Sequence, residues 1–112
     1  VYMAALLLRG EIQTLNIQQV TEMARWISEE ALRGDKQAQF YMGLMSARGL
    51  GVQPDPAEAY FWFELAAKQD VAPAVRGREL LAEQLTTDQV KQARDRAAQF
   101  KPLALPSAPP RR

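Results

Sequence analysis

The chain has 112 residues, room for one ordinary domain or about three helical repeats of roughly 34 to 40 residues. It holds neither Cys nor His, which excludes a disulfide framework, a zinc site of the usual kind, a thiol nucleophile and a Ser-His-Asp triad assembled within it. With Lys101, Arg111 and Arg112 set aside, 11 basic side chains face 13 acidic ones, so the body lacks the basic excess of a nucleic-acid binder.

Apolar residues make up 47% of the chain. Ala and Leu dominate and β-branched residues are scarce, which favours helix over strand. Val1 to Leu8 is apolar but far shorter than the ~20 residues a membrane-spanning helix needs. It reads as the inner face of a helix stopped near Gly10, with no membrane insertion, and a start on Val suggests a fragment or processed chain. Glu11 to Gln18 has no clear period and reads as a loop. Gln19 to Arg33 carries Val20, Met23, Ala24, Ile27, Ala31 and Leu32, close to the spacing of an amphipathic helix. Gly34 is a left-handed stop and Asp35 a cap for the next helix. That helix, Lys36 to Arg48, is expected to bury Ala38, Met42 and Met45, with Gly43 admitting a close neighbour and Gly49 and Gly51 ending it.

Asp55, Pro56 and Glu58 form the clearest start signal in the chain: an N-cap, a proline at the first helical position and an acidic variant of the capping box. The helix runs to about Gln69 and buries Ala59, Trp62, Phe63, Ala66 and Ala67. Asp70 stands where the earlier repeat has Gly34, and a left-handed backbone there would cost Asp about 1 kcal/mol relative to Gly. Val71 to Leu85 is the partner helix, with Ala74, Leu80, Leu81 and Leu85 apolar. Thr86 and Gln89 then offer a second capping box for a last helix, Asp88 to Phe100. Its one stripe of Val90, Ala93, Ala97 and Phe100 suits the closing end of a solenoid. Pro102, Pro106, Pro109 and Pro110 make residues 101–112 a Pro-rich tail, expected to be extended and disordered.

Trp26 and Trp62 lie 36 residues apart, as do Ala31 and Ala67, Gly34 and Asp70, and Ala38 and Ala74. A fixed period of this size on helical patterns marks stacked helix pairs. Ala38, Gly43, Arg48, Gly49, Gly51 and Val52, followed by Asp55, Ala59, Trp62, Phe63, Ala66 and Ala67, closely resemble the Sel-one-like repeat, a relative of the tetratricopeptide repeat. Glu79 stands where that pattern places the counterpart of Gly43, so the resemblance weakens downstream. It implies an all-α, right-handed α/α solenoid of antiparallel helix pairs. The expected division is a partial repeat over 1–18, repeats over about 19–52 and 53–85, and a capping helix over 86–100.

The resemblance also implies a non-catalytic adaptor or scaffold that binds a protein or peptide on its concave face, with bacterial envelope assemblies among the settings the family serves. First helices of neighbouring repeats line the concave wall in such a superhelix. On the Pro56–Gln69 helix the positions outside the motif are Tyr60, Phe61, Glu64 and Lys68. One period earlier their counterparts are Ala24, Arg25, Ser28 and Leu32. Tyr60, Phe61, Glu64, Lys68, Arg25 and Ser28 are therefore the candidate partner-binding strip, an aromatic anchor beside charged groups, unless Tyr60 and Phe61 pack on adjoining helices instead. A second expectation is self-association through residues 2–8, whose Met3, Leu6, Leu7 and Leu8 would otherwise leave an apolar patch. No catalytic, metal or cofactor site is expected. Glu29 and Glu30 point about 100° apart on a helix, Asp55 and Glu58 have capping roles, and Gly49-Leu50-Gly51 lacks the Lys-Ser/Thr ending of a phosphate loop.

Overall fold

A computed structural model of the chain describes residues 17–103. The expected partial repeat over 1–18 lies almost wholly outside them, as do residues 2–8 and the tail from residue 104 onward. Among the described residues there are five helices and no strand: α1 (Ile17–Leu32), α2 (Lys36–Arg48), α3 (Pro56–Lys68), α4 (Ala72–Ala82) and α5 (Thr87–Gln99).

The helix ends follow their sequence signals. Asp35 accepts a hydrogen bond from the Ala38 N–H at 2.8 Å and caps α2. Asp55 accepts from the N–H groups of Ala57 and Glu58, both at 3.1 Å, and caps α3 with Pro56 at its start. Thr86 and Gln89 form both halves of a capping box at α5. Asp70 takes the left-handed conformation, φ +68°. Gly49, at φ +74°, closes α2.

Several expectations need correcting. α1 starts at Ile17, not Gln19. Glu58 does not complete a capping box: the Asp55 N–H that it would accept from donates instead to the Ser46 carbonyl at 2.8 Å, and the Glu58 carboxylate accepts from Arg96 at 3.0 Å. α4 ends at Ala82, three residues short of Leu85. Leu80 is 54% exposed, because Ala74 and Leu81, seven residues apart, define the buried face and Leu80 sits about 100° round the helix from Leu81.

The helices pack in chain order, α1 on α2, α2 on α3 and α3 on α4, while α5 lies chiefly against α3. Each antiparallel pair buries a stripe: Ala24, Ile27 and Ala31 on α1; Ala38, Met42 and Met45 on α2; Ala93 and Ala97 on α5. The architecture is that of an α-solenoid, with α3 at its centre. Phe63 is the pivot. An added Cβ at Gly43 of α2 would stand 2.5 Å from its Cδ1, and one at Gly77 of α4 would stand 2.9 Å from its Cε2. The small residue facing Phe63 from α4 is thus Gly77, two positions before the Glu79 that breaks the sequence pattern.

Candidate interaction surface

Eight consecutive residues of α3, Ala59 to Ala66, are buried. A helix apolar nearly all round belongs inside, and α2, α4 and α5 between them cover it. Three members of the expected strip are consequently not surface positions: Tyr60, Phe61 and Glu64 are only 4%, 5% and 7% exposed.

The Phe61 ring meets Trp62 and Phe100 edge-on, at 4.9 and 6.1 Å between centroids. The Arg96 guanidinium lies 4.1 Å above it, a cation–π contact. Glu64 accepts from Arg78 Nη1 of α4 at 3.0 Å. The phenol of Tyr60 is pushed above its ordinary value by burial and then by the Glu64 carboxylate, against the opposing pull of Arg94 and Arg78. These groups join α3 to α4 and α5. The alternative weighed for Tyr60 and Phe61, packing on adjoining helices, is what the structure shows.

The other three members remain at the surface. Arg25 and Lys68 are exposed and Ser28 is half-buried, its hydroxyl donating to the Arg25 carbonyl at 2.7 Å. They do not join Tyr60 and Phe61 in one exposed strip, because α5 covers the aromatic part.

Sequence reasoning treated Leu80 as core. Its exposure places it on the solvent-facing side of α4, one helical turn after the exposed Arg76. One period earlier, the counterparts of Arg76 and Leu80 are Phe40 and Leu44 on α2, both half-buried and packed against the core. The Phe40 ring touches Tyr41 at 5.7 Å and Phe63 at 5.8 Å. The signal was available: positions 40/44 and 76/80 share the four-residue spacing of one helix face and the 36-residue period.

Open concavities flank this framework. An open groove of about 560 Å³ lies between the start of α1 and the loop after α2, lined by Ile17, Val20, Thr21, Leu50, Val52 and Gln53. A smaller one of about 330 Å³ lies where the ends of α3 and α5 approach Gly34, beside Gln39, Lys68 and Gln69. Among the described residues no helix is long and apolar enough to cross a membrane, and no three acidic side chains gather where they could hold a metal ion.

Residues 36–71 match the family described as the Sel1 repeat. Over that third of the chain, the sequence is similar to a Sel1 repeat. The matched span begins at the first residue of α2 and ends at Val71, the residue before α4, so the Sel1 unit here is α2 followed by α3. Over 58 residues the chain is 36% identical to "Chitin synthase regulatory factor 3" of the fission yeast Schizosaccharomyces pombe, covering 52% of this chain and 6% of that protein. The chain thus spans a small fraction of that relative, which is fungal and does not bear on the bacterial setting expected from the resemblance. No solved structure matches the chain. Sel1 repeats are non-catalytic protein–protein interaction modules as a family.

Proposed function

We propose that this chain is an adaptor module whose partner contacts the wall formed by the first helices of successive units, α2 and α4. The Sel1 match starts at α2, which supports reading α2 and α4 as the first helices of successive units. The observation that carries this reading is Leu80: a large apolar side chain, 54% exposed, at the position that holds Leu44 one period earlier. Leu80 and the half-buried Phe40 and Leu44 supply apolar anchors, and Arg76 supplies an adjacent charge that steers and orients. The name of the fission-yeast relative, a regulatory factor, is in keeping with a module that acts by binding.

Affinity capture with quantitative mass spectrometry tests the wall. An Arg76→Glu/Leu80→Asp variant, shown to be folded by circular dichroism, is expected to lose partners that the wild type retains. Capture retained by that variant but lost by Arg25→Glu/Lys68→Glu would move the site to the exposed remnant of the α1–α3 strip. Capture unaffected by both variants would overturn the assignment of either face.

A second reading, self-association, is favoured by the groove at the start of α1, where Ile17 is 85% exposed beside Val20, Leu50 and Val52. A second copy covering that groove would produce a mass that rises with concentration in light scattering. A constant monomer mass removes this reading and leaves the adaptor.

A further inference from the structure

After α5 the backbone turns extended at Phe100, φ −64° and ψ 133°, and runs back across the molecule. The Phe100 ring meets Phe61 and Trp62 edge-on, at 6.1 and 6.4 Å. Pro102 lies on Gly34, where an added Cβ would sit 3.3 Å from its ring carbons. The Leu103 N–H then donates to the Leu32 carbonyl at 2.8 Å, and Leu32 is the last residue of α1, where carbonyls have no partner inside the helix. Between these points Gln69, at the end of α3, donates to the Gly34 carbonyl at 3.0 Å and to Gln39 Oε1 at 2.9 Å. Gln39 in turn donates to the Ala31 carbonyl at 3.2 Å. The C-terminal ends of α1, α3 and α5 are stitched along one seam.

In a solenoid each unit touches its neighbours, and stability sums over nearest-neighbour terms. Here α1 packs chiefly on α2, and α5 on α3, so Phe100–Leu103 adds a tie between the two ends of the described array. We propose that this segment is a strap that fixes the separation of α1 and α5 and, through it, the curvature of the α2–α4 wall. A wall held in shape loses less freedom on binding. That benefit rests on the interaction reading above; the strap itself does not.

The chain has no Cys, so spin labels on Cys introduced at the exposed Glu29 and Gln92 report the α1–α5 distance without interference. Two variants loosen the strap: a stop after Lys101, which removes Pro102 and Leu103, and Leu103→Pro, which removes the N–H donor. The wild type is expected to give one narrow distance distribution. Both variants are expected to broaden it at unchanged helix content, and to lower amide protection at Gly34 and Asp35 by about tenfold, the scale of one net hydrogen bond. An unchanged distribution in the truncated chain overturns the strap. Should truncation unfold the protein, Leu103→Pro decides, and an unchanged distribution there overturns it. These distances are measured with no partner present, so failure of the adaptor reading leaves them as they are.

Discussion

Asp70 holds a backbone conformation, φ +68°, that places its Cβ near the following carbonyl. Its counterpart one period earlier is Gly34, which has no such clash. Asp70 makes no side-chain cap for α4, whose N-cap is Val71 without a side-chain bond. Asp70→Gly should therefore raise unfolding free energy by about 1 kcal/mol, read as a higher urea midpoint at unchanged slope. The opposite holds at Gly43, where a Cβ would fall 2.5 Å from the Phe63 ring. Overpacking of this kind costs about 1–3 kcal/mol, so Gly43→Ala should lower the midpoint although Ala is the better helix former. Tyr60 gives a pH signature. A phenol whose folded pKa is raised keeps a proton that the unfolded chain releases, so its contribution is intact below pH ~10 and lost as pH climbs past the folded value. Tyr60→Phe should flatten that alkaline fall in melting temperature; parallel falls in both proteins would acquit the phenol.

Among the elements, α3 decides what could and could not be read from the sequence. Its cap, its proline and its buried Ala59, Trp62, Phe63 and Ala66 were legible, because each is local chemistry within one helix. The covering of Tyr60, Phe61 and Glu64 was missed, because spacing within a helix does not say which later helix lies over its outer face. Thirty-five residues separate Phe61 from Arg96, the cation above it. The near-continuous apolar run of α3 was itself the warning, since a helix apolar on every side has no solvent face to offer. Leu80 was misplaced for the converse reason: an apolar residue next to Leu81 looks like core until the turn of α4 sends the two in different directions. Glu64 supplies the test at this scale. Its carboxylate is 9% exposed and its partner Arg78 28%, so removing the guanidinium strands a nearly buried charge. Arg78→Ala should cost about 1–3 kcal/mol, and adding Glu64→Gln should return part of it. Additive losses in that double-mutant cycle would deny the coupling.

At the scale of the whole molecule, α3 touches three other helices, and Phe63 is the side chain on which two of them, α2 and α4, close. Phe63→Ala should cost about 3–5 kcal/mol, enough to consume much of the stability of a small domain. It should act on every element together, so helix signal and tryptophan fluorescence ought to shift to the same lower denaturant midpoint. Midpoints that separate, with α1 and α2 surviving the loss of α4 and α5, would show a stack that melts piecewise.

The route of the backbone beyond α5 also sets how such an array can be lengthened. Leu103 lies beside the end of α1, bonded to Leu32, so a polypeptide joined directly after it would start from the first of the described helices. A further helix pair spliced in at that point must first unseat Pro102 from Gly34 before it can reach the growing edge. Joined directly to the end of α5, the same pair would continue the stack and leave the Leu32 carbonyl to water. Designers building concatemers from this scaffold accordingly have two junctions to choose from: one keeps the number of units closed, and the other reopens it.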